Sequence, residues 1–169
     1  MTPWRQWVLQ RDEFFRMSPH SPLTPEQKRH FEGLKYFPEN PSLRLELKPE
    51  WMPEGDWVQI QTNTGQVQSY ERYARVRFEV DGEPAELTIF RNEHGLFLPF
   101  ADALAGVETY GAGRYMDPEE LPDGRLRVDF NYAYNPYCAY NENWSCPLTP
   151  AENRVQVPIR AGERIFEER

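Results

Sequence analysis

Proline is the residue that most limits what this chain can become. Sixteen of its 169 residues are proline, nearly twice the usual share of about 5 %. Each one removes a backbone donor and holds φ near −65°, so helices and central strands must fit into the gaps between prolines. Between Pro3 and Pro19, residues Trp4, Trp7, Val8, Arg11, Phe14 and Phe15 fall near the i, i+3, i+4, i+7 spacing of one helical face. Thr2 is placed to cap that helix, with Pro3 at its first position. The prolines of "SPHSPLTPEQKRHFEGL" then break it, and Thr24 caps a second short helix that Pro25 begins and Gly33 ends.

From Leu43 onward the dominant period is two. The runs 43–48, 56–62, 73–80, 85–90, 95–100, 125–130 and 154–159 alternate or are continuously apolar, with "TNTGQ", "VDGEP", "RNEHG" and "LPDGR" as turn chemistry between some of them. This predicts a mainly β, α+β chain: an antiparallel β-sandwich or barrel of about seven strands with two short N-terminal helices. Residues 1–169 read as a single domain, in which the helical segment 1–36 packs on a β-domain of 43–169 and buries Trp4, Trp7 and Phe14. No internal repeat or low-complexity linker divides it.

The net charge of −8 opposes a nucleic-acid backbone, and the basic residues are not striped along one face. No stretch approaches the roughly 20 apolar residues of a membrane span. Charges also interrupt "MTPWRQWVLQRDEFF", where a signal peptide needs its apolar core. The expectation is a cytoplasmic protein with neither nucleic acid nor membrane as partner; the sequence leaves its oligomeric state open.

Two irregular segments collect polar residues. In "TYGAGRYMD" (109–117), Gly111 and Gly113 permit positive φ and close approach, so backbone N–H groups with the Arg114 fork form a candidate anion site beside Tyr110 and Tyr115. Alternatively this is a glycine turn with Arg114 paired to Asp117 or Glu119. In "FNYAYNPYCAYNENWSC" (130–146), Asn131 and Asn135 are suited to bind nearby backbone and Pro136 to hold a turn, while Tyr134 offers an apolar body with a hydroxyl tip. Glu152, Asn153 and Arg154 follow as an acid, an amide and a guanidinium, suited to a site or to a self-satisfying corner.

Cys138 and Cys146 are the only cysteines. Seven residues separate them, a loop that closes as a disulfide if the backbone folds back; buried thiols or a reactive thiol are the alternatives. A zinc site needs further ligands, and His20, His30 and His94 lie far off in sequence. G-x-S-x-G, H-E-x-x-H and phosphate-loop motifs are missing, and no cofactor signature is evident.

Together "SPHSPL", "GLKYF", "GLFLPFADALAGVETYGAGRYMD" and "DFNYAYNPYCAYNENWSCPLTPAENR" resemble a family of bacterial and archaeal proteins known only as a domain of unknown function. The resemblance runs from "DEFF" to "AGER". It implies that Tyr110, Gly111, Gly113, Arg114, Tyr115, Asn131, Tyr134, Asn135, Cys138, Cys146, Glu152, Asn153 and Arg154 belong to the family's pattern, with Tyr137 departing from an expected second proline. The functional expectation is one polar pocket for a small anionic molecule, lined by 109–117 and 130–154, with Arg114 and Arg154 as charged donors. The alternatives are a cysteine-dependent enzyme, in thiol redox or hydrolytic chemistry, and a purely structural role for these motifs.

Overall fold

Both helices begin at the expected caps. In the computed structural model, which describes residues 1–167, α1 spans Pro3–Met17 and the Thr2 side chain accepts from the Arg5 amide. The second helix, α2 (Pro25–His30), starts with a reciprocal capping box between Thr24 and Gln27. It stops three residues before Gly33, because Phe31 turns into extended backbone and stacks against Phe15.

Nine strands follow among the described residues, in two antiparallel sheets with no closed barrel. The larger sheet runs in the order β2 (Glu50–Trp51), β4 (Val67–Val80), β5 (Glu83–Asn92), β6 (Gly95–Phe100) and β7 (Arg114–Met116), with β3 (Trp57–Gln61) also on β4. The smaller sheet is β1 (Arg44–Leu47), β9 (Leu126–Asp129) and β8 (Glu119–Glu120). Strand β4 begins six residues earlier than periodicity suggests, and a register shift between Arg72 and Ala74 divides the part that pairs β3 from the part that pairs β2. Asp81 (φ 51°) and Gly82 (φ 82°) make the tight turn from β4 to β5.

The two sheets share one apolar core. Ala74, Val76, Phe78, Leu87, Ile89, Leu98 and Phe100 come from the larger sheet, Leu126 and Val128 from the smaller, and Phe130 sits against both Phe78 and Phe100. This is a β-sandwich-like α+β fold in which strand exceeds helix. Segment 154–159, expected as a strand, is not one. Pro158 has no donor to offer a ladder, and the segment makes a single parallel bridge, Ala101 with Arg154, while Val157 and Ile159 drop into the core.

Helix α1 docks through a narrower stripe than expected. Trp4, Val8 and Phe15 are buried, Trp7 is half-buried, and Phe14 remains 39 % exposed. The Trp4 indole N–H donates to the Asn131 carbonyl at 2.7 Å, and Phe15 packs edge-on against Tyr140. Phe14 adjoins Phe15 in sequence, one step round the helix, which turns it away from that contact. Among the described residues no helix is long and apolar enough to cross a membrane.

Candidate functional site

Most of the conspicuous polar residues brace the frame. Strand β7 points Arg114 inward, where it is 1 % exposed. Its Nη1 donates to the carbonyls of Ala161 and Glu163, its Nη2 to that of Ile159, and Asp102 Oδ2 lies 3.8 Å away. The guanidinium also sits over the Phe100 ring. Burial pushes its pKa down to about 10, against the pull of Asp102 and Glu163, so it stays charged at neutral pH. This arginine clamps the segment 159–163 onto β7. The expectation that Arg114 meets an anion therefore fails on geometry, because main-chain carbonyls take its donors. Arg154 is exposed and forms no ion pair among the described residues.

The asparagines act as substitute backbone. Asn153 is buried, accepts from the Thr88 amide, and donates to the carbonyls of Thr88 and Pro99, all at 2.8 Å. It thereby links β5 to β6 beyond the last rung of their ladder at Phe90 and Phe97. Asn131 does the same with the amide and carbonyl of Asn40. Asn135 donates its amide N–H to Glu163 Oε1 and its side chain to the Arg164 carbonyl. Glu152 faces Arg72 and Thr88 rather than Arg154; burial pushes its pKa up, but the bonds from Arg72 and Thr88 outweigh this and hold it below the ordinary carboxylate value.

Glu163 was missed by the sequence reading. It is buried, and its carboxylate accepts from Arg11 Nη1 at 2.9 Å, from the Asn135 amide and from the Tyr140 hydroxyl. Tyr36 completes this cluster by bonding Arg11. Arg11 and Glu163 are 152 positions apart, so no local pattern announces the pair.

Glycine positions divide similarly. Gly113 has φ +107°, and a Cβ there would come within 2.3 Å of Thr149 Oγ1 and 2.7 Å of the Phe100 carbonyl. Gly111 is exposed and its Cβ would meet only ordinary contacts, the nearest at 3.6 Å. Tyr110 and Tyr115 gather round the thiols: Tyr110 Oη lies 3.6 Å from Cys138 Sγ, while the Tyr115 hydroxyl donates to the Pro147 carbonyl. Both cysteines are buried thiols, whereas His20, His30 and His94 are exposed. No group of three or more His, Cys, Asp or Glu suited to a metal occurs among the described residues.

Accessible chemistry lies elsewhere, in a cleft of about 660 Å³ between α1, the smaller sheet and the segments 116–117 and 132–134. Trp7, Tyr132, Tyr134 and Met116 give it apolar walls, and the Trp7 and Tyr132 rings meet at 4.9 Å. Its charges are largely self-paired. Arg44 is held by Asp129 and Glu39, and Arg127 by Glu46 and Glu119. Asp117 is different: the Tyr134 hydroxyl donates to it at 3.0 Å, and no cation pairs with it among the described residues. Although the residue is exposed as a whole, partial burial of its carboxyl raises the pKa above the ordinary 3.8, against the opposing Tyr134 bond. A shallower hollow of about 320 Å³, lined by Phe14, Arg11 and Tyr137 among others, shares the walls Trp7 and Tyr134. Another concavity, at the outer edge of the β4–β5 hairpin, carries Arg77 already bridged to Glu50 and Glu86.

Fold and site define a β-sandwich-like α+β protein with an aromatic, carboxylate-bearing cleft beside its smaller sheet. The chain belongs to the DUF1684 family, described as proteins of unknown function, whose model matches residues 29–164. It is similar over its length to the solution NMR structure of an uncharacterised protein from Haloarcula marismortui, at 35 % identity and a TM-score of 0.73, covering 98 % of this chain and 94 % of that one. A comparison with curated proteins gave no match.

Proposed function

We propose that the cleft binds a small molecule carrying an amine or several hydroxyl donors, held by Asp117 and Tyr134 against the rings of Trp7 and Tyr132. The observation that carries this reading is the carboxyl of Asp117, which has no cation partner among the described residues while every other charged side chain lining the cleft is in an ion pair. Acidic lining residues outnumber basic ones there, so an ammonium gains both from Asp117 and from the neighbouring aromatic faces. A free carboxylate or phosphate would meet repulsion and find no guanidinium to spare. The anionic ligand expected from sequence rested on Arg114 and Arg154, and neither lines this cleft.

Titration of the isotope-labelled protein with putrescine, tyramine and glucose, set against acetate, phosphate and sulfate, tests the reading by chemical-shift mapping. An amine or sugar should perturb Trp7, Asp117 and Tyr134, and Asp117→Asn should weaken amine binding at least tenfold, about 1.4 kcal/mol. Binding of the anions in this cleft, or amine affinity unchanged in Asp117→Asn, overturns it.

A further inference from the structure

The cysteine pair is independent of the cleft and has a chemistry of its own. Cys138 and Cys146 are 3 % and 7 % exposed. The Cys138 amide N–H donates to Cys146 Sγ at 3.3 Å, and the two side chains pack together in one buried cluster with Tyr115. Each is held from its own side. Cys138 lies in the tight turn Tyr137–Ala139 that follows Pro136, while the Cys146 amide donates to the Asn63 side-chain Oδ1 and the Cys146 carbonyl accepts from the Asn63 amide. The chain between them is pinned where the Asn141 and Trp144 side chains both donate to the Pro22 carbonyl. With Cys146 Sγ 3.3 Å from the Cys138 amide nitrogen, the two sulfurs lie within side-chain reach of each other, the placement from which a disulfide of roughly 2.05 Å closes.

A catalytic thiolate working at neutral pH fits these surroundings poorly. The Cys138 contact and burial push the Cys146 thiol up, so it holds its proton at neutral pH. All three histidines are exposed. What adjacent buried thiols do well is react with each other through an oxidant.

We propose that Cys138 and Cys146 form a reversible intrachain disulfide, closed by a small two-electron oxidant such as hydrogen peroxide. The more exposed Cys146, next to exposed Ser145, reacts first. Its sulfur attacks peroxide, the O–O bond breaks, and a sulfenic acid and one water result. The Cys138 sulfur then attacks the sulfenic sulfur. The S–S bond forms as the S–O bond breaks, and hydroxide leaves as water with the Cys138 proton. Overall two thiols and one peroxide give one disulfide and two waters, with two electrons passing from sulfur to oxygen. The elevated Cys146 pKa makes the first step slow at neutral pH and faster as the solution becomes alkaline.

The test treats reduced full-length protein with hydrogen peroxide, blocks remaining thiols under denaturing conditions, and reads intact mass and a peptide map. The expected product has lost two hydrogens, carries a 138–146 link, recovers both thiols with dithiothreitol, and melts roughly 5–10 °C higher than the reduced form. Oxidation should accelerate between about pH 7 and pH 9, and Cys146→Ala should show neither the link nor the rise in melting temperature. Should that variant fail to fold, the wild-type map decides. Thiols that stay fully alkylatable, sulfinic acid without a link, or a cross-link between two chains would each overturn the proposal.

Discussion

Replacing Arg114 by alanine tests most directly whether the prominent motif residues are struts. The substitution deprives three main-chain carbonyls, those of Ile159, Ala161 and Glu163, of their guanidinium donors and removes the cation nearest to Asp102, which is 6 % exposed. Asp102 keeps the Thr109 hydroxyl and the Ile159 amide, so it is not left entirely bare. Removing one partner of a buried charge pair costs about 3–5 kcal/mol. Each carbonyl left dry adds about 1–3 kcal/mol, reduced where water enters the space vacated by the side chain. With water taking over most of the carbonyl bonds, the charge-pair cost dominates and the expected loss is about 4–6 kcal/mol, a large part of the roughly 5–15 kcal/mol of a whole domain. The melting temperature should fall by roughly 10–20 °C. Urea unfolding followed by tryptophan fluorescence and circular dichroism measures it. Arg114→Lys, which keeps the charge on a shorter reach, should lie between alanine and wild type. Exposed Arg154→Ala should stay within about 0.5 kcal/mol of wild type. An Arg114→Ala protein within about 1 kcal/mol of wild type, or an equal loss on replacing Arg154, would refute the reasoning.

Other substitutions separate the same roles. Gly113→Ala must move Thr149 and the Phe100 carbonyl and occupy φ +107°, so it should lose about 2–4 kcal/mol in chemical denaturation, while Gly111→Ala is tolerated. Asn153→Ala removes three bonds to β5 and β6 and should cost about 2–4 kcal/mol, read as a fall in the urea midpoint. Asp117 has its folded pKa raised above 3.8, so its stabilising contribution is complete below that value and is lost as pH rises through the folded pKa. Asp117→Asn should therefore be at least as stable as wild type at pH 7, with the difference vanishing in acid. Glu152 has its folded pKa lowered below 4.5, so its contribution is present above that value and is lost as pH falls through the folded pKa. The gap between wild type and Glu152→Gln in a pH series of melting curves should close in acid.

Local chemistry by itself determined where the elements start and turn. Thr2–Pro3 and Thr24–Pro25 open the two helices, and Asp81–Gly82 turns β4 into β5. Alternation also picks out the runs that became β1, β3, β5, β6 and β9. These features depend on backbone sterics and on neighbours a few residues away, which is what a sequence states openly. It misplaced 154–159, where alternation is present but Pro158 denies the segment a ladder. It also missed the short β7 and β8, whose pairing is set by distant partners. The candidate site was the least readable part. Of the residues expected to bind a ligand, only Tyr134 lines the cleft, joined by Trp7, Asp117 and Tyr132 from three different segments. Arg114 and Arg154 look alike as sequence, each a guanidinium in a polar, turn-rich stretch. One is sealed because the carbonyls of residues 45, 47 and 49 positions downstream arrive around it, and the other faces water. Whether a polar side chain serves as a strut or is left free for a ligand depends on which backbone atoms reach its donors first, and only the tertiary structure brings those atoms there.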